Sequence, residues 1–599
     1  MKYPITWDLE SVFAGGSESK EYVAFVEETD VYIKKFNERL AKVDDSVEQL
    51  AELIEDIQQL MLRARQSGAF ISCLSSANVQ DKKAIQWLGT IRTQSNKIQQ
   101  IWTKIEEKIV AFSEEKWQEL LKHEKLQPIV FSLNESREKA KDKLPPDQER
   151  LASKLAIDGY HSWGSFYNQL VGDMEFPFEE DGEEKRLSAG QIQNRMNHSD
   201  RDVRKRAFFA SEKGWEQKAD TFATTLNSLA GFRLQLYDAR GWENVLKEPL
   251  DINRMQEQTL DTMWNTIEEN KPMLHQFMER KARLLNIDQL AFYDVFAPLP
   301  VDGDEKISYD DACDLIIKHF KTISPKLANF AEMALRDGWI EAEDRPGKRP
   351  GGFCTSLPLS GTEGESRIFM TYDGSLANVA TLAHELGHAY HSHCLKELKP
   401  FARSYAMNVA ETASTFAENI VADALVKEAQ SEDLRLSLLE NKISRSLAFF
   451  MNIHARFIFE KNFYEARKSG TLSAADLNQL MEEAQKQAFG NALSEYSPTF
   501  WASKLHFHIT GVPFYNFPYT FGFLFSLGIY KRALDAGLSF EDNYIDLLKD
   551  TASMKVEELA DKHLGVDLTQ AEFWQDALNV VKEDIEEFLK LTEEKIAAK

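Results

Sequence analysis

Cysteine is scarce in this sequence, with only four in 599 residues. The four lie far apart, and none belongs to a Cys-x-x-Cys pair. This spacing argues against a disulfide framework and favours a reducing compartment, so we expect a cytoplasmic protein. The four are Cys73, Cys313, Cys354 and Cys394.

Positive charge is also in deficit. The chain has 71 Lys and Arg against 96 Asp and Glu, which gives a formal net charge of −25 at pH 7. An acidic surface repels phosphate backbones and anionic lipid headgroups. We therefore expect neither nucleic acid nor a membrane as a partner.

Long hydrophobic runs are absent as well. The first residues contain no apolar run and carry Asp8 and Glu10 early, which is unlike a signal peptide. The stretch 505–530 lacks Asp, Glu, Lys and Arg, but two histidines and two prolines interrupt it and its apolar second half is too short to span a bilayer. This pattern predicts a buried loop that runs into a buried helix.

Helical patterns fill most of the chain. Two of them, 46–66 and 472–490, begin with a serine that has a polar partner three residues later, which is the spacing of a capping box. The other helical patterns cover 82–122, 188–240, 257–285, 308–337, 430–468 and 553–596. A chain of this length is longer than one hydrophobic core usually supports, so we expect two or three lobes.

Breaks in the helical pattern are few. Residues 174–188 predict a hairpin or linker, and 297–308 form a second turn-rich break. The third break, 343–364, holds five glycines and three prolines and excludes a helix. It leads into 366–374, the best strand candidate. We expect a mainly α protein with a small β-sheet, an N-terminal helical region over 1–185 and a catalytic region over 186–599 with its core at about 350–525.

The segment HELGHAYHSHC, residues 384–394, indicates a metal site. His384 and His388 are four residues apart, so a helix places their rings on one face about 5–6 Å apart. Two imidazoles so placed can bind one Zn²⁺, and Glu385 can reach a water beside it as a general base. The five-residue pattern alone is a weak indication, and context must support it.

A catalytic zinc needs a third protein ligand and one open position. His391 lies on the same stripe but about 10 Å along the axis from His384. His393 points to the opposite face, and no glycine breaks the helix to bring Cys394 back. We expect these three side chains to pack near the site or support it.

The third ligand should therefore come from another element. The next helical pattern, 408–425, presents Glu411 among small and apolar residues, where a carboxylate is costly to bury unless it meets a positive charge. A metal would provide that charge. Glu418 lies two turns further along the same face. We expect a solvated side chain there, with a hydrogen bond to a metal ligand as the alternative.

These residues carry a family resemblance. The motifs HELGH, NVAETAS and HFHITGVPFYNFPYTFG (506–522) resemble those of the M3 zinc metallopeptidases, in the oligoendopeptidase F branch. The segments GGFCTSLPLSGTEGESRIFMTYDG and TWDLESVF also resemble that branch. The resemblance covers nearly the whole chain.

The resemblance implies a two-lobed, mostly α-helical fold that encloses a deep channel. It implies zinc-dependent cleavage of internal bonds in short oligopeptides, with one zinc per chain. The implied ligands are His384, His388 and Glu411, and the implied base is Glu385.

The same resemblance implies donors to the oxyanion. The family histidine and tyrosines match His508, Tyr515 and Tyr519 most naturally, and His506 is a further candidate for binding substrate. A hydroxyl or ring N–H aimed at the developing charge typically contributes about 3–4 kcal/mol. We expect His508 and Tyr515 to be catalytic, and Tyr519 and His506 to bind substrate.

The strand candidate suggests how a peptide could bind. Residues 366–372 are expected to offer a free edge beside the zinc, where an extended peptide could add as a strand. Tyr372 on that segment and Gly352 before it are the candidate substrate contacts, since glycine permits close backbone approach.

Two other functions stay open on the sequence alone. A zinc carboxypeptidase or dipeptidase would need a fixed cation for the substrate's C-terminal carboxylate, and Arg349, Arg367 and Arg403 are available but not placed by the sequence. A non-catalytic helical peptide-binding protein is less consistent with a complete set of ligands and base.

Overall fold

The structure, a computed structural model, describes residues 2–44, 46–180, 182–300, 306–361, 364–593 and 595. Helices dominate it. In the first half they are α1 Lys20–Leu40, α2 Val47–Ala77, α3 Lys82–Ala111, α4 Glu114–Leu121, α5 Val130–Lys141, α6 Pro146–Ala156, α7 Ser162–Gly172, α8 Ala189–Arg195, α9 Arg201–Glu216, α10 Ala219–Arg240, α11 Lys247–Ile252 and α12 Glu257–Leu284.

In the second half the helices are α13 Tyr309–Ile323, α14 Pro325–Arg336, α15 Leu376–Leu395, α16 Thr412–Glu428, α17 Glu432–Leu447, α18 Ile453–Arg467, α19 Ala474–Phe489, α20 Phe500–Ser503, α21 Phe517–Ala536, α22 Glu541–Asp550, α23 Val556–Leu564 and α24 Ala571–Leu591. Among the described helices, none combines the length and apolar composition that a membrane crossing requires.

Five short strands form two sheets within the described residues. They are β1 Phe176–Glu180, β2 Glu183–Leu187, β3 Ile340–Glu341, β4 Phe353–Leu357 and β5 Glu365–Phe369. The first two form an antiparallel hairpin, as the segment 174–188 predicts. The others form a sheet in the order β3-β5-β4, with β5 parallel to β3 and antiparallel to β4.

The free edge of that sheet is not where the sequence places it. The prediction of an exposed edge at 366–372 is wrong, because β5 is the central strand and pairs on both sides. Within the described residues β4 is paired only with β5, so β4 offers its other edge. The strand β4 lies in the glycine- and proline-rich segment, where the residue pattern shows no strand.

The chain divides into two compact units, each built from three segments. Unit 1 comprises Met1–Lys143, Asp304–Ala424 and Ile529–Gly565. Unit 2 comprises Leu144–Gly303, Leu425–Gly528 and Val566–Lys599. The functional division at residue 185 stays a prediction, as does the channel.

Unit 1 contains the three-stranded sheet and α15. The helix α15 contacts β4, β5, α14 and α22, and its buried side chains include Leu382, Leu386 and Tyr390. A second core lies between α2 and α3, where isoleucines and leucines at helical spacing are fully buried. The sheet and these helices hold α15 on several sides.

Unit 2 is built on long helices. The contacts of α12 and α17 with α24, and of α18 with α19, form its core. Trp574 is fully buried there and contacts Phe521 with ring centroids 5.5 Å apart. The segment 505–530 begins as a loop and continues into α21, which confirms the prediction of a buried loop that runs into a buried helix.

Helix starts follow the sequence closely. Ser46 caps α2 by accepting a hydrogen bond from the backbone N–H of Gln49. At α19, Ser473 and Asp476 form a complete capping box. These local signals act within one turn, so the sequence alone reveals them.

One glycine fixes how closely α15 and α16 approach. A Cβ atom on Gly387 would lie 2.4 Å from the carbonyl oxygen of Ala413 and 2.6 Å from the Cα of Ser414. Both are backbone atoms that cannot rotate away. Only glycine permits this contact, which brings the middle of α15 against the first turn of α16.

We expect Gly387→Ala to separate the two helices and lower the free energy of unfolding by roughly 1–3 kcal/mol, the usual cost of overpacking. Thermal unfolding of the metal-free protein measures this. Gly89→Ala is the matched control, since a Cβ there meets nothing within 4 Å. Gly89 is exposed in the interior of α3, so alanine there should stabilise the protein by roughly 0.5–1 kcal/mol. Equal effects at both positions would contradict the steric argument.

Candidate metal centre

The helix α15 carries two histidines on one face. Ser375 caps its start by accepting a hydrogen bond from the N–H of Asn378, and the helix then runs unbroken through the motif. The rings of His384 and His388 lie 4.9 Å apart between centroids and nearly perpendicular, at 85°. The four-residue spacing therefore places both imidazoles side by side, as the sequence predicts.

Glu411 completes the group. Its Oε2 atom lies 3.3 Å from Nε2 of His384 and 3.5 Å from Nε2 of His388. Ser414 Oγ donates a hydrogen bond of 2.6 Å to the same oxygen. The residue directly precedes α16, so the Gly387 contact carries it to the histidine face of α15.

Glu418 lies close to the histidine pair. It is 6% exposed, and its Oε2 atom accepts a 3.0 Å hydrogen bond from Nδ1 of His384. The expectation of a solvated side chain is wrong, and the alternative of a bond to a ligand holds. This bond selects the tautomer in which Nε2 of His384 carries the free lone pair towards Glu411.

The three side chains suit a metal ion. One donor atom from each of His384, His388 and Glu411 lies within 4.8 Å of the other two. Two imidazole nitrogens and one carboxylate form the donor set of many catalytic zinc sites. A partly buried cluster of this kind also leaves one side open for a further ligand.

Protonation states favour metal binding. Burial lowers the pKa of His388 to about 4, so its ring is neutral at pH 7. Burial acts to raise the pKa of Glu411, but the contacts with His384 and His388 outweigh it and lower that pKa to about 2. Neutral imidazoles and an ionised carboxylate are the forms that coordinate metals.

Glu385 lies beside the group without belonging to it. It is 7% exposed, and its Oε2 atom has no hydrogen-bond partner in the described part of the chain. Burial raises its pKa to about 7. A buried carboxyl that exchanges its proton near neutral pH is suited to general base catalysis.

Gly352 leaves room for Glu385. A Cβ there would lie 3.4 Å from Oε1 of Glu385 and 3.2 Å from the carbonyl oxygen of Phe369. The chain enters β4 at this point, next to the carboxyl group. The expectation of close backbone approach at Gly352 agrees with this geometry.

The other side chains of the histidine-rich segment face elsewhere. His391 is fully buried, with Nε2 2.9 Å from Thr551 Oγ1 and its ring stacked on Tyr405. The ring of His393 contacts Phe330 at 4.7 Å, and Cys394 is buried. All three side chains pack against neighbouring elements and lie outside the metal-binding group, as the helix geometry predicts.

Tyr372 is occupied by the core. Its hydroxyl donates a 2.9 Å hydrogen bond to the carbonyl of Ile307, and its ring packs edge-on against Tyr309. At 7% exposure it presents little surface. The structure therefore does not support Tyr372 as a substrate contact.

Three aromatic residues gather in unit 2. The ring of His506 lies 5.4 Å from Tyr515 and 6.1 Å from Tyr519, and the tyrosines are 5.7 Å apart. All three are partly exposed. The structure thus brings together three of the four candidates of the segment 506–519.

His508 is separated from this group. It is 1% exposed and stacks on Tyr167 at 3.8 Å. Its Nδ1 atom lies 3.3 Å from the carbonyl of Lys504, and its Nε2 atom has no partner among the described residues. A ring so enclosed has almost no free surface for a substrate, so His506 replaces it beside the tyrosines.

Two residues that hydrogen-bond to the metal-binding side chains are not the first choice of the sequence analysis. Glu418 follows Glu411 by seven residues, which puts both carboxylates on one helix face and was the available signal. Ser414 gave none, because a serine three residues after a glutamate is common in helices. The contact of Glu418 with His384 arises only once α15 opposes that face, whereas the bond from Ser414 to Glu411 is local.

Comparisons with known families agree with the site. The profile of peptidase family M3 matches residues 195–580, and that of oligopeptidase F matches residues 108–176. The first alone covers more than half of the chain and includes every residue of the metal centre.

Two relatives match over nearly the whole chain. Oligopeptidase PepF of Bacillus subtilis is 26% identical over 600 residues, which covers 98% of this chain and 87% of the relative. Group B oligopeptidase PepB of Streptococcus agalactiae is 27% identical over 620 residues, covering 98% and 96%.

Solved structures show the same fold. A putative peptidase from Chlamydophila abortus superposes with a TM-score of 0.83 at 19% identity and covers 98% of each chain. Oligoendopeptidase F from Enterococcus faecium gives 0.72 at 20% identity, covering 96% of this chain and 99% of its own. With the family profile over most of the sequence, these matches show that the chain belongs to peptidase family M3, in its oligoendopeptidase F branch, and is a metallopeptidase.

Proposed function

We propose that the chain is a zinc-dependent endopeptidase that hydrolyses internal bonds of short oligopeptides, with one Zn²⁺ per chain. The observation that carries the proposal is the convergence of Nε2 of His384, Nε2 of His388 and Oε2 of Glu411. Beside them lies the Glu385 carboxyl, whose Oε2 atom has no hydrogen-bond partner among the described residues. Relatives named oligopeptidase and oligoendopeptidase support the substrate class.

The chain prepares the site through hydrogen bonds. Glu418 holds the ring of His384, and Ser414 holds the carboxylate of Glu411. When bound, zinc acts as a Lewis acid that polarises a carbonyl and makes water a stronger acid. Side chains already held in place lose little freedom on binding, which increases metal affinity.

Glu385 moves the proton in this mechanism. Its Oε2 atom accepts the proton of the attacking water, and the same carboxyl then delivers it to the departing amine. Burial matters for the first step, because it raises the pKa of the carboxyl and so makes the carboxylate a stronger base.

The edge of β4 is suited to hold the peptide. Its residues are half-buried, and the strand begins next to Gly352 and the Glu385 carboxyl. An extended peptide that pairs with this edge gains backbone hydrogen bonds that do not depend on its sequence. The aromatic group of His506, Tyr515 and Tyr519 is proposed to contact the peptide as well.

The cellular location and the choice between endopeptidase and exopeptidase are also part of the proposal. The four free cysteines agree with a cytoplasmic location. Two of the three arginines considered for an exopeptidase are engaged: Arg367 pairs with Glu365, and Arg403 donates to the carbonyls of Leu398 and Lys396. Arg349 is exposed and lies over the ring of Phe353. This favours the endopeptidase over a carboxypeptidase that uses Arg367 or Arg403.

Removing the base should abolish most activity. We expect Glu385→Gln to lower kcat about 10²–10⁴-fold while zinc content is unchanged, since the amide cannot accept the proton. A quenched fluorescent peptide and metal analysis measure the two quantities. Glu397→Gln, at an exposed site near the end of α15, should retain full activity. Wild-type rates in the Glu385 variant would refute the mechanism.

The carboxylates of Glu411 and Glu418 should differ in their effect on metal affinity. We expect Glu418→Gln to weaken zinc binding about 10- to 100-fold, the usual effect of losing a residue that orients a ligand. Glu411→Gln should weaken it further, because a ligand itself is lost. Competition with a chelator measures both. If Glu411→Gln binds zinc as tightly as wild type, Glu411 is not the third ligand.

Blocked peptides separate the endopeptidase from the exopeptidase. We expect cleavage at internal bonds of an acetylated, amidated oligopeptide, because backbone pairing with β4 requires no free terminus. Mass spectrometry of the products locates the bonds. Cleavage restricted to the terminal one or two residues of unblocked peptides would favour the carboxypeptidase or dipeptidase.

A further inference from the structure

Two basic side chains in unit 2 share one aromatic ring. The Nζ atom of Lys504 lies 4.6 Å from the centroid of Phe500, and the Cζ atom of Arg456 lies 5.2 Å from it. Arg456 comes from α18, and Lys504 follows α20. Both are partly buried. Lys504 is two residues before His506, so the pair adjoins the aromatic group described above.

The described part of the chain provides no carboxylate for either cation. Arg456 donates from Nε to Oδ1 of Asn452 at 3.0 Å and from Nη1 to Oδ1 of Asn516 at 3.1 Å, both neutral acceptors. Among the described residues, the ammonium group of Lys504 has no hydrogen-bond acceptor, and it lies over the Phe500 ring.

Other buried cations of this unit are neutralised. Lys281 pairs with Glu440 at 2.5 Å, and Arg204 pairs with Asp294 at 3.1 Å. The chain has 96 acidic residues, yet among the described residues none pairs with the two cations near Phe500. Two like charges kept together in a partly desolvated place raise the free energy of the folded state unless an anion joins them.

The protonation behaviour agrees with this arrangement. Burial and then the charge of Arg456 lower the pKa of Lys504 to about 7. Burial, Arg456 and Lys504 together lower the pKa of His506 to about 4. Arg456 and the charged form of Lys504 thus repel each other, and both would gain from a negative charge beside them.

We propose that Arg456 and Lys504 form a subsite that binds a carboxylate of the peptide substrate. The guanidinium of Arg456 keeps its Nη2 hydrogens and one Nη1 hydrogen for a carboxylate, and the ammonium of Lys504 adds a second charge. The inference rests on the proposed peptidase function and adds a preference for anionic peptides to it.

The carboxylate could come from the C-terminus or from a glutamate side chain. Four peptides of one sequence separate these sources: free acid or amide at the C-terminus, each with Glu or Gln at a scanned position. The measurement is kcat/KM for each peptide with wild type, Lys504→Met and Lys504→Arg. Methionine keeps the stem against Phe500 and removes only the charge.

We expect wild type to prefer one carboxylate peptide over its neutral partner by about 10- to 100-fold, the range for a hydrogen bond to a charged group. Lys504→Met should lose most of that preference through KM, whereas Lys504→Arg should keep it. The pair of peptides that responds identifies the source of the carboxylate.

The preference should also depend on pH. Lysine loses its charge as the pH rises through its pKa, so the acid-to-amide ratio of kcat/KM should fall above about pH 7 in wild type. In Lys504→Arg it should stay constant, since arginine remains charged. Using the ratio cancels titrations that affect both peptides equally.

Lys486→Met is the matched control. Lys486 also lies over an aromatic ring, Tyr496 at 5.8 Å, but is paired with Glu482. This variant should keep the wild-type ratio. Thermal unfolding checks folding, and Lys504→Met should unfold no lower than wild type because it removes an uncompensated charge.

Equal ratios in wild type, Lys504→Met and Lys486→Met would overturn the subsite. That result differs from failure of the proposed function, in which wild type would cleave none of the four peptides. Cleavage of the neutral peptides by all variants, without any effect of charge, would leave the peptidase intact and remove the subsite.

Discussion

The metal centre depends on one steric constraint, the close contact of α15 and α16 at Gly387. The two histidines belong to α15, and both carboxylates belong to α16 or the residue before it. A side chain at 387 would overlap backbone atoms of Ala413 and Ser414, and the helices would have to separate. Because metal ligands must meet within a few tenths of an ångström, that separation would remove Glu411 from the histidines.

Electrostatics then determines how the two units differ. In unit 1 hydrogen bonds hold two of the metal-binding side chains: Glu418 orients His384, and Ser414 holds Glu411. The Oε2 atom of Glu385 has no hydrogen-bond partner among the described residues, which leaves it free to accept a proton. In unit 2 no carboxylate of the described residues pairs with Arg456 or Lys504. Both proposed sites therefore contain charged groups that folding leaves without an ionic partner among the described residues.

Much of the fold could be predicted because helical patterns and caps are local. The capping residues Ser46 and Ser473, the hairpin at 174–188 and the buried helix after the uncharged loop all follow from spacing within a few turns. The strand β4 and the free edge could not be predicted. Pairing in a sheet joins residues distant in sequence, and the glycine-rich composition of the segment around β4 hides its strand.

By itself, the sequence determined the histidine pair, the adjacent glutamate and a short set of candidates for the third ligand. The reason is that an α-helix has 3.6 residues per turn, so the sequence spacing of two residues in one helix predicts the distance between them. Only the tertiary structure decided that Glu418 is buried on His384, that Tyr372 is occupied by the core, and that His506 rather than His508 joins the tyrosines. Each of these depends on which face of one element packs against another. Packing and the cost of burying charge decide that, and neither can be read from a single segment of the sequence.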